Sequence, residues 1–299
     1  MNHILIKLLN KLKSEKKKNF QLSLKKLSKL DKTKIINFAY DLQTGSYIRD
    51  WEKKKQAYRS FNEEIVEVIN DNFRKLSNLL DCGCGELTNT NLLRKGIKNI
   101  KIYGLDFSFN RILAGVKYFK LKKKDMNFVC ATLKDIPFKN NSFEISMTMH
   151  AIEPNNGEEE EIIKELIRVS SRGLVLIEPD YKLANTIQRK RMRKYGYTQN
   201  LEKILIKKNI KYKKIPMKNY LSFKNKSSIY IINLNKKKIK SPIIVEPITK
   251  KPISLINSNY IYSKTVGLIY PVIEGIPILK KEFAMLLPNN KIKKNVLLK

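Results

Sequence analysis

Cysteine is scarce, with three in 299 residues, Cys82, Cys84 and Cys130, all in the middle of the chain. So few thiols argue against a disulfide framework and for a reducing, cytoplasmic setting. Long apolar runs are missing too: no uncharged stretch approaches the roughly 18 residues that a transmembrane helix needs. The opening MNHILIKLLNKLK is broken by Lys7 and lacks a small-residue cleavage site, so no signal peptide is expected. No internal repeat is visible. Histidine occurs only as His3 and His150, and no second ligand pair accompanies Cys82 and Cys84, so metal binding by those thiols is not expected.

Acids are few as well, 27 against 61 lysines and arginines, giving a formal charge of +34 and a pI near 9.9. Such a balance suits a nucleic-acid or anionic-membrane partner, because clustered cations release counterions from phosphates. Lysine far outnumbers arginine, however, and travels with abundant isoleucine and asparagine, the pattern of lysines spread over solvated faces. A solvated basic surface is therefore the first reading and a specific polyanion site the second. With 42% hydrophobic and 9% aromatic residues the chain suits a globular fold. Its length allows one large domain and a small appendage.

Residues 1–40 place Leu5, Leu8, Leu9 and Leu12 on one helical face among lysines, a basic amphipathic segment. Packing on the body or a partner subunit is its plainer use, and weak contact with an anionic membrane the sharper one. FNEEIVEVINDNFRKL reads as a helix with Ile65, Val66, Val68 and Ile69 apolar. Strands and helices then alternate: SNLLDCG, IKIYGLDFS, NFVCATL, SFEISMTMHAIE and LVLIEPDY as strands, LTNTNLLRKG, NRILAGVKYFKLKKK and GEEEEIIKELIRVSSRG as helices, the last capped at Gly173. That order implies an α/β fold whose parallel sheet carries helices on both faces and binds ligands at the strands' carboxyl ends. IKYKKIPM and SSIYIINLN form a closing strand pair, KKKIKS a charged linker, and residues 242–285 a small proline-containing all-β appendage.

The stretch LLDCGCGELT, residues 79–88, runs a strand into a glycine turn and a helix, aiming backbone N–H groups at a ligand that Gly83 and Gly85 allow close. The dinucleotide fingerprint fails, since its third glycine position is Thr88, and no Gly-Lys-Ser/Thr phosphate loop follows. What remains is Asp81, two residues before the first glycine, which suits a ligand bearing a cation.

This stretch resembles the first motif of class I S-adenosylmethionine-dependent methyltransferases, in which an acid, Gly, x, Gly pattern often holds a cysteine between the glycines. The family's third glycine falls on Leu87. ATLKDIPF resembles the family's third-strand motif with Thr132 in place of its acid, NNSFEISMTMHAIEP its fourth strand with Glu144 where Asp is commoner, and residues 160–181 the helix before its fifth strand and that strand itself. The resemblance spans about residues 40–235 and implies a Rossmann-like, seven-stranded, mostly parallel sheet that binds S-adenosylmethionine. It places Asp81, Gly83, Cys84, Gly85, Asp106, Phe107, Thr132, Leu133 and Met149 at the cofactor, with Asp106 on the ribose hydroxyls and Phe107 against the adenine.

Methyl transfer needs positioning above all, and a base only for a hydroxyl or protonated-amine acceptor. The base candidates follow the fourth and fifth strands: His150, Glu153, Glu178, Asp180 and Tyr181, with His150 and Glu153 foremost. Tyr40 or Tyr47 in YDLQTGSYI could close a lid. The acceptor is open; a small metabolite or glycan precursor is favoured slightly over RNA, because no Asn-Pro-Pro-Tyr motif or nucleic-acid module is present. A cofactor-binding module without turnover is the other class.

EPITKKPI and GLIYPVIEGIPIL resemble the small zinc-ribbon-like activator of tRNA and protein methyltransferases. Its four ligand positions fall on Glu246, Thr249, Ser263 and Val266, which implies a domain without metal. The expected organisation is a basic helical segment over 1–40, a methyltransferase domain over 41–238, an activator-like β domain over 239–286 and a basic tail over 287–299.

Overall fold

The computed structural model describes residues 40–122, 127–155, 157–221, 226–239 and 241–287. The amphipathic segment expected over 1–40 lies outside the described residues save for Tyr40, as does the tail beyond Leu287. The chain divides into two compact units, residues 1–44 and 45–299. Of the first, residues 40–44 are described, a turn in which the Thr44 hydroxyl donates to the Asp41 carbonyl at 2.8 Å.

The second unit opens with α1 (Ser46–Lys53) and α2 (Lys55–Asn72). Then come β1 (Asn78–Cys82), α3 (Thr88–Gly96), β2 (Lys101–Asp106), α4 (Phe109–Tyr118), β3 (Phe128–Cys130), β4 (Phe143–Met149), α5 (Glu159–Val169) and β5 (Ser170–Pro179). Two helices, α6 (Thr186–Tyr195) and α7 (Leu201–Lys207), lead to β6 (Lys213–Pro216) and β7 (Ser227–Asn233). The seven strands form one sheet in the order β3-β2-β1-β4-β5-β7-β6. All neighbours are parallel except those of β7, which runs against β5 and β6. Every residue of β1 is buried, as a central strand covered on both faces requires. One core contains Leu80, Phe143, Ile162, Leu166 and Leu176; the other packs Phe61, Ile65 and Ile69 of α2 on Leu79, Ile145 and Val175. The expected α/β fold is thus present, and among the described residues no helix is long and apolar enough to cross a membrane.

Two helix ends differ from expectation. The α5 helix stops at Val169 and β5 begins at once, because Ser170 and Ser171 turn their hydroxyls to Ser146 Oγ (2.7 Å) and the Phe143 carbonyl (3.0 Å) of β4. Gly173 is therefore a strand residue and not a helix cap; a Cβ there would lie 2.4 Å from the Ile232 carbonyl oxygen. The α4 helix ends at Tyr118 with Lys120 in the left-handed region, so Lys120 and Lys122 lie outside the helix.

The chain's last part builds a second, antiparallel sheet from β8 (Ser254–Asn257), β9 (Tyr260–Ser263), β10 (Leu268–Ile273), β11 (Ile276–Pro277) and β12 (Met285–Leu286). It is stitched to the first. Ile278 bridges Cys130 at the end of edge strand β3, Leu279 N donates to the Cys130 carbonyl at 2.8 Å, and Val245 N to the Pro137 carbonyl at 3.0 Å. An edge strand otherwise presents unpaired backbone groups, and here the appendage covers its end. Inside this segment Glu246, fully buried, accepts from the Tyr270 hydroxyl at 2.6 Å and from the Thr249 hydroxyl at 2.6 Å.

Candidate functional site

Strand register sets Cys82 beside Leu105 and Thr148, Asp106 beside Cys130, and Met149 beside Ile177. The carboxyl ends of β1 to β5 therefore line one edge of the sheet, and the residues expected to bind or react lie on that edge or on the loops leaving it. The turn after β1 is tied to β2 by its own backbone: Gly83 N and Cys84 N donate to the Leu105 carbonyl at 2.6 and 3.1 Å. Asp106 completes the tie, accepting from Gly85 N and Ser108 N at 2.8 Å each. One carboxylate thus fixes the turns after β1 and β2.

The two glycines differ in their reasons. Gly83 has φ +85°, and a Cβ there would lie 2.4 Å from Ala151 Cβ, so its bareness serves a contact within the protein. Gly85, at φ +52°, would set a Cβ no closer than 4.0 Å to its nearest neighbour, the Gly83 carbonyl oxygen. The open approach expected of both belongs to Gly85. Leu87, at the family's third glycine, holds φ +60° and is buried, so the backbone keeps the left-handed turn although a side chain has entered.

Asp81 is buried; its Oδ2 accepts from the Thr90 hydroxyl at 2.6 Å, while Oδ1 has no hydrogen-bond partner. Burial, helped by the Asp106 charge and opposed by the Thr90 bond, pushes its pKa up to about 7. A buried carboxylate with one unpartnered oxygen, four residues before an open glycine, suits a ligand with a positive charge. The thiols of Cys82 and Cys84 are buried and held well above the usual range by burial first and neighbouring carboxylates second, which makes them inert packing groups. Thr132 spends its hydroxyl on the turn that follows β3, accepting from Lys134 N at 3.1 Å and Asp135 N at 3.2 Å. Leu133 and Met149 are partly buried against the two cores, and Phe107 is partly exposed at the end of β2.

His150 follows β4 at φ +56° and is the hub of the other half of the edge. Its Nδ1 lies 2.7 Å from Glu153 Oε2, and its Nε2 3.2 Å from Ser227 Oγ at the start of β7. Burial lowers the ring's pKa, but the Glu153 bond and charge, with Glu178, outweigh it and the net shift is upward. Glu178, fully buried, accepts from the backbone N–H groups of Ala151, Ile152 and Glu153 at 3.0 to 3.2 Å, so it shapes the loop carrying His150. Burial raises its pKa to about 7, against the His150 charge. Asp180 is committed elsewhere, to Lys214 at 2.6 Å and the Ser228 hydroxyl at 2.7 Å.

Three residues at this edge carry no sequence signal. Glu86, buried, accepts from Gly45 N and Ile48 N at 2.9 Å each and so caps α1 from the turn after β1. That helix carries Tyr47, whose ring stacks under Arg111 at 4.6 Å. Lys280, 3% exposed, reaches from beyond β11 to the Phe107 carbonyl at 3.2 Å and sits 4.1 Å from the Phe107 ring centre. Ser227 is the third, bound to His150.

Residues 79–173 match the model of a methyltransferase domain family. Over this stretch the chain is similar to a methyltransferase domain. It contains the glycine turn, Asp106, His150 and Glu153. An uncharacterised protein of Methanocaldococcus jannaschii is 33% identical over 100 residues, 32% of this chain and 40% of that protein. The chain thus matches less than half the length of that relative. Among solved structures, magnesium protoporphyrin IX methyltransferase from Synechocystis with bound SAH superposes with a TM-score of 0.50 at 15% identity, over 69% of this chain and 100% of that one. One chain of a complex between the Haloferax volcanii Trm112 methyltransferase activator and a methyltransferase gives 0.50 at 11% identity, over 66% and 98%. At these identities the likeness is one of fold. Among the described residues no group of three or more His, Cys, Asp or Glu is arranged to hold a metal ion.

Proposed function

We propose that this chain transfers a methyl group from S-adenosylmethionine to an acceptor bound beside His150 and Glu153. The reading is supported by the open Gly85 and the unpartnered Asp81 Oδ1, both within the stretch similar to a methyltransferase domain. S-adenosylmethionine, when bound, supplies an electrophilic methyl on a sulfonium. Asp81 offers its carboxylate to the cationic part of the donor. Asp106, partly buried beside the turn, offers its carboxylate to the ribose, with Phe107 beside the adenine, Thr132, Leu133 and Met149 along the pocket wall, and Cys84 filling the turn beneath. In the acceptor half, His150 is held in one orientation by Glu153 and Ser227. The pair accepts an acceptor proton only above the ring's raised pKa.

The second sheet is, in this reading, an activator-like element in cis. Its support is the bridge at β3 and the contact of Lys280 with Phe107. At two of the positions that the resemblance aligns with zinc ligands, the Thr249 hydroxyl donates to Glu246 at 2.6 Å. A small metabolite or glycan precursor is the favoured acceptor and RNA the second, the latter supported by the charge of +34.

Calorimetry with S-adenosylmethionine and its demethylated product tests the donor site. Binding by the wild type that Asp106→Ala abolishes supports it, and a folded wild type that binds neither refutes it. Steady release of the demethylated product with cell extract as acceptor then separates an enzyme from a binding module.

A further inference from the structure

We propose that Arg189 and Arg193, converging on Tyr181, form an oxyanion site at the acceptor end of the sheet, and that the methyl acceptor is a small molecule carrying a phosphate. The inference rests on the transfer reading, which gives the ends of β1 and β2 to the donor and leaves those of β4 and β5 to the acceptor. Tyr181 follows the end of β5 by two residues, and α6 opens shortly after. Past that helix, Thr198 N donates to the Glu153 carbonyl at 2.8 Å, which joins this segment to the loop of His150.

The type of cation is the first observation. Only ten of the 61 basic residues are arginine, yet three of them, Arg189, Arg191 and Arg193, fall within the ten residues of α6. A drift toward lysine does not produce such a cluster. Arginine differs from lysine in its planar, forked donors, which match a phosphate.

Placement is the second. Arg189 and Arg193 stand one helical turn apart and both contact Tyr181, Arg189 at its carbonyl and ring face and Arg193 at its hydroxyl. Arg189 donates from Nε to the Tyr181 carbonyl and from a terminal nitrogen to the Lys182 carbonyl, both at 3.0 Å, with its guanidinium 5.3 Å from the Tyr181 ring centre. Arg193 donates to the Tyr181 hydroxyl at 2.6 Å. These partners are neutral, and among the described residues neither arginine forms an ion pair. The nearby acids are engaged by lysines: Asp180 by Lys214, and Glu202 by Lys214 and Lys182. Arg168 differs in its charge balance: like Arg189 it bonds two backbone carbonyls, but it is also paired to both oxygens of Glu165. Like charges at this helical spacing repel by a few tenths of a kcal/mol, and a bound oxyanion reverses the sign.

Rigidity is the third. The α6 helix starts in a capping box, Asn185 and Gln188 exchanging bonds at 2.9 Å, and ends at Gly196 in the left-handed region. The two guanidiniums are thus presented from one face of a fixed helix, a pair of cations that suits a small phosphate-bearing ligand better than a long row of phosphates.

The test titrates inorganic pyrophosphate by calorimetry into the full-length protein at about 0.15 M salt, where weak surface attraction is screened. It compares the wild type with the double variants R189Q/R193Q and R189K/R193K. S-adenosylmethionine binding and far-UV dichroism serve as controls. The expected result is binding that falls about tenfold or more in the Gln variant and by less in the Lys variant, with donor affinity within about twofold of wild type. Undiminished pyrophosphate binding in the Gln variant, or none in the wild type, overturns the proposal. A labelled oligouridylate that binds about 100-fold tighter than pyrophosphate, with a steep salt slope removed by the same variant, overturns the small acceptor in favour of a polynucleotide. If the wild type binds pyrophosphate but not S-adenosylmethionine, the transfer reading fails while the oxyanion site stands.

Discussion

Replacing each glycine of the β1 turn by alanine separates two explanations for the motif. In Gly83→Ala the new methyl lies 2.4 Å from Ala151 Cβ, on a backbone at φ +85°. The left-handed backbone costs an L-residue about 1–2 kcal/mol, and overpacking of this kind about 1–3 kcal/mol. Together they amount to roughly 2–5 kcal/mol, a large part of a domain's stability of about 5–15 kcal/mol. In Gly85→Ala the backbone term alone remains, because the nearest atom is 4.0 Å away. Urea unfolding should therefore rank Gly83→Ala below Gly85→Ala by about 1–3 kcal/mol.

Ala151→Gly should restore part of what Gly83→Ala loses, with a coupling of about 1–3 kcal/mol in the double-mutant cycle. Gly85→Ala should keep the fold and weaken S-adenosylmethionine about tenfold or more, because the methyl takes the ligand's place. Equal destabilisation by the two substitutions, or no rescue by Ala151→Gly, would refute the packing argument. Wild-type donor affinity in Gly85→Ala would refute the approach argument.

Three further outcomes follow from the same geometry. Asp81 has a pKa raised to about 7, so its contribution to stability is present below the unfolded value near 4 and is lost as pH rises through about 7; Asp81→Asn should flatten that decline in urea titrations at pH 5 to about 8. For the donor the sign is opposite, and calorimetry should show affinity for cationic S-adenosylmethionine rising up to about pH 7 and levelling off above it. Glu153→Gln removes the bond and charge that lift His150, so the ascending limb of the pH–rate profile should move to lower pH, and an unmoved limb would exclude the pair as base. Lys280→Met keeps the buried stem but loses the bond to the Phe107 carbonyl; a loss of about 1–2 kcal/mol in unfolding is expected, together with weaker donor binding.

The strands of the main sheet were readable because each is a short apolar run between turn residues, and a strand buried on both faces has no other pattern. The glycine turn was readable for its spacing, and the edge it occupies follows from β-α-β alternation. Reading failed where one residue type serves two purposes. Gly173 after an amphipathic run signals a helix cap, yet here it lets β7 and Phe73 close on β5. The amphipathic period says nothing of Ser170 and Ser171, whose bonds to β4 end α5 early. Partners remote in sequence left no trace: Glu86 caps a helix 41 residues earlier, Ser227 meets His150 across 77 positions, and Lys280 reaches Phe107 across 173. Each is an ordinary polar residue in its own neighbourhood and becomes informative only when the sheet brings its strands into register.

Charge is sorted along the ligand edge in a way that net composition conceals. Acids are the minority in this chain, 27 against 61, yet Asp81, Asp106, Glu153 and Glu178 all stand at or just past the carboxyl ends of β1, β2, β4 and β5. Burying carboxylates is costly unless hydrogen bonds or a countercharge stabilise them. Glu178 draws on three backbone N–H groups and Glu153 on His150, whereas Asp81 keeps one oxygen unanswered. The negative interior thus has one unfilled demand, on the donor side, and it is for a cation. A few residues beyond the same edge, α6 sets Arg189 and Arg193 together without an acid. Under the proposed reading the two imbalances are complementary: the buried one selects a cationic donor and the exposed one an anionic acceptor. Neutralising the arginines should then weaken the acceptor and spare the donor, and Asp81→Asn should do the reverse.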